Sequence, residues 1–261
     1  MRIVFLGDIV GNTGLKAVDA YFPEILKRFK PDLTIANAEN AAASGRGLTP
    51  RIAEQLFDKG IEILTLGNHA WDSREIYSYL EREKRIVRPA NFPGNPPGIG
   101  FTICKVNGFD VAIVNLLGRV FMSDYDSPFA CIDGIVRELR ESRGIRHIFV
   151  DFHAETSSEK MSFAWHVTGK VSAVVGTHTH VQTADERILG GGTAYLTDAG
   201  MTGAYDGIIG MKKEPVLHRF LTQMPVRFEV EQGRLQLHGA CIDLDEKGHA
   251  THIERISCKP L

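Results

Sequence analysis

Short apolar runs alternate with helical periodicity along most of this chain, and that alternation restricts the folds open to it. Residues 3–6, 32–38, 61–66, 109–114, 147–152 and 171–175 read as buried strands, each bounded by Gly, Pro or polar residues. Helical spacing fills the gaps between them. After Gly11-Asn12-Thr13-Gly14, the residues Leu15, Val18, Tyr21, Phe22, Ile25, Leu26 and Phe29 recur at helical intervals until Pro31. Thr49-Pro50 marks an N-cap with proline at the first helical position, and that helix ends near Lys59-Gly60. Further helices are predicted over 73–84, 132–142 and 161–168, with a surface loop over 89–100. Asn107-Gly108 between 101–106 and 109–114 is a strong hairpin signal, and 193–197 reads as another strand. From Val226 the period becomes two, so 227–231, 234–243 and 249–256 predict an antiparallel meander. Strands alternating with helices, closed by such a tail, suit a layered α/β domain with helices covering its sheets.

A chemical pattern lies over this one. The strands are followed in turn by Asp8, Glu39-Asn40, Asn68-His69, Asn115, His153, His178 with His180, and Asp198. The opposite ends begin with Arg2, Asp32, Ile61, Phe109 and Val171, which share no chemical theme. Ligands of open α/β sheets bind outside the carboxyl ends of the strands. In Gly176-Thr177-His178-Thr179-His180 the two imidazoles stand two residues apart, and on extended backbone they would face the same side. The set offers carboxylate, amide and imidazole groups without sulfur, more than one four-coordinate zinc ion needs. It fits two divalent ions, Mn, Fe, Zn, Ni or Co, about 4 Å apart and bridged by a carboxylate and a hydroxide. Such a pair suits hydrolysis of a phosphate ester. Because these candidates come from both ends of the chain, one domain over 1–261 is expected.

Composition narrows the partners. A net charge of -2 gives no broad basic field, so bulk nucleic-acid or acidic-membrane binding is not favoured. Cys104, Cys131, Cys241 and Cys258 are scattered without a Cys-x-x-Cys pair, which argues against a structural zinc site or a disulfide scaffold. The apolar run 3–6 is too short for a secretory core and no run approaches a membrane span, so a cytoplasmic protein is expected.

The same residues carry a resemblance. Gly7-Asp8, Gly67-Asn68-His69, His153 and Gly176-Thr177-His178-Thr179-His180, in that order, resemble the signature blocks of the calcineurin-like metallophosphoesterases. Gly7-Asp8-Ile9-Val10-Gly11, Asn37-Ala38-Glu39-Asn40, Asp151-Phe152-His153-Ala154-Glu155 and Tyr195-Leu196-Thr197-Asp198-Ala199-Gly200-Met201 resemble their YmdB-like bacterial branch, over essentially the whole chain. The resemblance implies a four-layer α/β/β/α sandwich. It implies a metal-dependent phosphodiesterase acting on small cyclic nucleotides, with 2′,3′-cyclic AMP type substrates leading, through a metal-bridging hydroxide. Iron or manganese would be the first metals to consider, ahead of Zn, Ni or Co. Asp8, Glu39, Asn40 and His180 would hold one metal. Glu39 as bridge, Asn68, His153 and His178 would hold the second, and His69 would protonate the leaving oxygen.

Two departures from the broader superfamily specify the branch. Val10 stands where a first-block histidine is usual, and Glu39 takes the place of a bridging Asp, so Asn40 is expected to supply the missing ligand. Asp72 is a candidate to orient His69 or to cap the helix that follows. Arg46 and Arg119 could meet a substrate phosphate or be ordinary surface arginines. Glu155, Thr156 and Ser157 could support His153 or cap the next helix. Alternatives are a phosphomonoesterase or protein phosphatase and, from another class, a regulatory or RNA-associated protein with a structural metal site. The adjacent Asn68-His69 pair favours the enzyme. A homo-oligomer is compatible with every reading.

Overall fold

The computed structural model describes residues 1–94 and 96–260. Asn95, inside the predicted loop 89–100, and Leu261, at the end of the predicted 1–261 domain, lie outside the described residues. The first half of the chain forms β1 (Arg2–Leu6), β2 (Asp8–Ile9), α1 (Gly11–Phe29), β3 (Leu33–Asn37), α2 (Pro50–Asp58), β4 (Ile63–Thr65), α3 (Ile76–Arg82) and β5 (Ile86–Val87). The hairpin β6 (Phe101–Val106) and β7 (Phe109–Leu117) follows, then α4 (Pro128–Arg137), β8 (His147–His153), α5 (Ser157–Val167) and β9 (Ala173–Thr177). The rest is β10 (Arg187–Leu189), β11 (Thr193–Leu196), β12 (Met201–Ala204), α6 (Lys213–Thr222), β13 (Leu235–Leu244) and β14 (Ala250–Cys258).

The strands make two sheets. One runs β2-β12-β13-β1-β3-β4-β5 with β14 also paired to β13, and the other runs β10-β11-β9-β8-β7-β6. β1, β3, β4 and β5 are parallel, as are β7, β8, β9 and β11. Strands covered on both faces need apolar residues in both phases of the pleat, which is why they read as continuous apolar runs. In β1, Ile3 and Phe5 face the layer between the sheets, where they meet Ile113, Phe149 and Val175. The rings of Phe5 and Phe149 lie 5.2 Å apart there. Val4 and Leu6 point the other way, under Val18 and Phe22 of α1 and Leu56 of α2. On the far side, Ile132 of α4 and Phe163 of α5 pack on Val114 and Val150. The predicted α/β/β/α sandwich is the fold formed.

Some boundaries differ for local reasons. α5 starts at Ser157, ahead of the predicted 161, because Thr156 caps it by accepting from the Glu159 N–H at 3.4 Å. The predicted helix 132–142 begins at Pro128 behind the Ser127 cap and finishes in a π-helical turn, Glu138–Ser142. The predicted strand 227–231 is not one. Its neighbour is the turn before α6: Lys212 N–H donates to Glu229 O at 2.8 Å and Glu231 N–H to Gly210 O at 2.9 Å. Val230 packs where a Cβ on Gly11 or Gly45 would have to sit, so its alternation reflects plugging of a gap and not a pleat. Only β13 and β14 of the predicted meander form.

Thr49 caps α2 through its hydroxyl, which accepts from the Ile52 N–H at 3.3 Å, with Pro50 at the first position. Thr49→Ala is expected to lower the stability by about 1 kcal/mol, read from the urea midpoint at unchanged slope. Among the described residues, no helix is long and apolar enough to cross a membrane.

Candidate functional site

Parallel register sets the height of the rim. Leu117 on β7 pairs with His153 at the end of β8, and His153 pairs with Thr177 at the end of β9. Glu39 and Asn40 follow β3 and Asn68 and His69 follow β4, on the neighbouring sheet. The side chains converge on His153. Its Nε2 lies 3.1 Å from Glu39 Oε1, 3.0 Å from Asn68 Oδ1 and 3.0 Å from His178 Nδ1. Ligand atoms of Glu39, His153 and His178 all fall within 4.8 Å of one another.

A proton chain assigns the His153 ring. The Thr177 hydroxyl donates to Asp151 Oδ1 at 2.6 Å, so it accepts from His153 Nδ1 at 2.9 Å and leaves Nε2 to the cluster. Asp151 is buried, which pushes its carboxyl up to about 6. It also accepts from Thr65 at 2.5 Å and Asn37 at 3.0 Å. Burial alone would lower the His153 imidazole, but the Glu39 carboxylate outweighs it and holds it up at about 9. Burial would likewise raise Glu39, yet His153 holds it down at about 2. Burial, with His153 alongside, pushes His178 down to about 3. Without a metal, a proton on His153 is the positive charge that this collection of lone pairs requires. A divalent ion can take that place.

Two further oxygens point the same way. Asp8 Oδ2 accepts from the His178 N–H at 3.2 Å, while its Oδ1 is buried and without a hydrogen-bond partner. Asn40 spends its Nδ2 on the Gly45 carbonyl at 2.9 Å, and its Oδ1 is also buried and unpartnered. Buried acceptors left unpaired are costly, and an ion satisfies them. His180 Nδ1 lies 2.9 Å from the Ile209 carbonyl, which can only accept. The hydrogen is therefore on Nδ1 and the Nε2 lone pair is free. Burial raises Asp8, and His180 is close enough to oppose that rise. A cradle is left open at Gly67, where an added Cβ would lie 2.3 Å from Glu39 Oε2 and 2.6 Å from His153 Nε2. These residues fit divalent cations.

The histidine pair does not sit on extended backbone. β9 ends at Thr177, and φ is +100° at His178 and +64° at His180. That left-handed turn directs His178 to His153 and His180 to Ile209, where an extended segment would have aimed both alike. Left-handed non-glycine residues persist only where their surroundings hold them. Asp198 does so here: it accepts from the Thr179 N–H at 3.1 Å, the Thr179 hydroxyl at 2.8 Å, the Gly200 N–H at 2.8 Å and Lys160 Nζ at 2.7 Å. Both members of that ion pair are buried.

His69 stands at the edge. Its backbone N–H donates to Glu39 Oε2 at 2.9 Å, and its Nδ1 is 3.0 Å from Asp72 Oδ2. Asp72 thus orients His69 and does not cap α3, which starts at Ile76. Asn115 donates to the Asp151 carbonyl at 3.3 Å, behind the rim. Arg46 and Arg119 are exposed. Glu155 lies against His178, not His153, and Thr156 is the cap of α5. Lys160 escaped sequence reasoning because a lysine at a helical position carries no sign that it points inward.

The profile of YmdB-like proteins matches residues 4–256. A Bacillus subtilis (strain 168) protein named 2′,3′-cyclic-nucleotide 2′-phosphodiesterase is 49% identical over 257 residues, covering 98% of this chain and 96% of its own. A structure of a hypothetical protein from Thermus thermophilus superposes with a TM-score of 0.92 at 42% identity, covering 99% of both chains. A novel phosphatase from Mycoplasma pneumoniae superposes with a TM-score of 0.93 at 31% identity, covering 99% of this chain and 93% of that one. By sequence and by fold, this chain belongs to the YmdB-like family of metallophosphoesterases.

Proposed function

We propose that this protein is a phosphodiesterase that uses two divalent cations to open cyclic nucleotides, 2′,3′-cyclic AMP first among them. The observation that carries the reading is the pair of buried, unpartnered oxygens on Asp8 and Asn40 beside the Glu39–His153–His178 cluster. The name of the Bacillus subtilis relative, 2′,3′-cyclic-nucleotide 2′-phosphodiesterase, supports the substrate class. In this reading Asp8, Glu39, Asn40 and His180 hold one cation, and Glu39, Asn68, His153 and His178 hold the other. The donor set, oxygen and imidazole without sulfur, suits iron or manganese and also accepts zinc, nickel or cobalt. Bound there, two such ions neutralise phosphoryl oxygens and make hydroxide available at neutral pH.

The chain's own groups do the rest. Asp72 accepts the Nδ1 hydrogen of His69, so in the imidazolium form Nε2–H is the end that gives its proton to the departing ribose oxygen, leaving the neutral ring. The His69 N–H fixes Glu39, tying the proton donor to the cluster by one backbone bond. Cys104, Cys131, Cys241 and Cys258 are all free thiols, which suits a cytoplasmic enzyme.

The test is reconstitution of metal-free protein with manganese or iron, then a hydrolysis screen. About two equivalents of metal are expected, with 2′,3′-cyclic AMP cleaved faster than phosphomonoesters or short RNA. One equivalent or less would sink the two-cation reading, and preference for a phosphomonoester would replace the substrate.

A further inference from the structure

Two of the clustered imidazoles commit one nitrogen to an outer acceptor, and the third has a carboxylate within reach. His153 uses Thr177 backed by Asp151, and His180 uses the Ile209 carbonyl. His178 faces an acidic side chain: its Nε2 lies 3.2 Å from Glu155 Oε2, an ion-pair contact not angled as a hydrogen bond, while its Nδ1 is 3.0 Å from His153 Nε2.

We propose that Glu155 is the positioning residue for His178. Turned slightly onto the ring from its 3.2 Å contact, its carboxylate accepts the Nε2 hydrogen, which fixes the tautomer that turns the Nδ1 lone pair into the cluster. The inference rests on the proposed metal centre and adds a residue to its support. His178 lies beyond β9, at φ +100°, and unlike His180 its outward nitrogen has no main-chain carbonyl as partner, leaving it to Glu155. The competing role for Glu155, capping α5, is already filled by Thr156. Glu155 is 46% exposed, so replacing it opens no cavity in the core. Outer acceptors of this kind set ring orientation and ligand basicity, and their loss typically weakens metal binding by about 10- to 100-fold.

The experiment compares Glu155→Ala and Glu155→Gln with wild type, each stripped of metal and titrated with Mn²⁺ against a competing chelator. Glu155→Ala is expected to weaken one of two equivalents by about 10- to 100-fold and to leave the other unchanged. In Glu155→Gln the amide oxygen accepts the same hydrogen, so most of that affinity returns. Thermal melting of the metal-free proteins should coincide, which separates positioning from a general structural effect. If Glu155→Ala binds both equivalents as wild type does, or if Glu155→Gln is as weak as Glu155→Ala, the inference is overturned while the centre stands. Wild type that takes up no Mn²⁺ overturns the centre and this inference together.

Discussion

His69→Ala is expected to slow hydrolysis of 2′,3′-cyclic AMP by about 10²- to 10⁴-fold, the usual contribution of a positioned proton donor. Metal content should stay full. The reason lies in how His69 is built in: its contact with Glu39 is made by the backbone N–H, which alanine keeps, whereas the imbalance at the leaving oxygen comes from the lost ring. A leaving group that needs no protonation, such as p-nitrophenolate, should restore most of the rate. If His69→Ala cleaves the cyclic nucleotide at the wild-type rate with full metal, His69 is not the proton donor. Asp72→Asn should give a smaller loss, since Asp72 reaches the reaction only through the His69 Nδ1.

Lys160→Met is expected to lower the stability by about 3–5 kcal/mol, the cost of leaving a buried charge without its partner. Asp198 is wholly buried, and three of its four donors are fixed N–H or hydroxyl groups that do not neutralise it. Adding Asp198→Asn to Lys160→Met should recover part of the loss, because an amide needs no counter-charge and its one oxygen can keep the two Thr179 bonds, though not the Gly200 N–H bond made at the other oxygen. Urea unfolding of the single and double variants measures both values. A loss below about 1 kcal/mol for Lys160→Met would place the pair among those worth no more than a surface contact.

Much of the fold is legible in the order of residues alone. β1, β3, β8 and β9 are apolar in both phases because both faces are covered, so their positions are plain in the sequence. Their carboxyl ends then have to share a rim, and the structure brings Glu39, Asn68, His69, His153 and His178 into contact there. The turn at His178 and His180 is not legible in this way, since two-residue spacing implies a common side only on extended backbone. No helix is predicted at α6, although Val216, Leu217, Phe220 and Leu221 recur at helical spacing; of these Val216 is buried and the other three are exposed. The Lys160–Asp198 pair and the Glu155–His178 contact are hidden for another reason. Each joins residues from separate elements whose approach depends on packing, and neither member has a local pattern that names the other.

The placement of β1 has a consequence for how the chain is made. β1 lies between β3 and β13, so one of its edges finds its partner early in synthesis and the other waits for residues 235–244. Until residues 235–244 have left the ribosome, the centre of the first sheet carries an open edge, the kind of surface that pairs with other chains. Asp8 must likewise wait for the backbone of His178 to reach it. A cation held there would therefore find its site complete only once the chain through His180 has emerged, and could not template the N-terminal half alone.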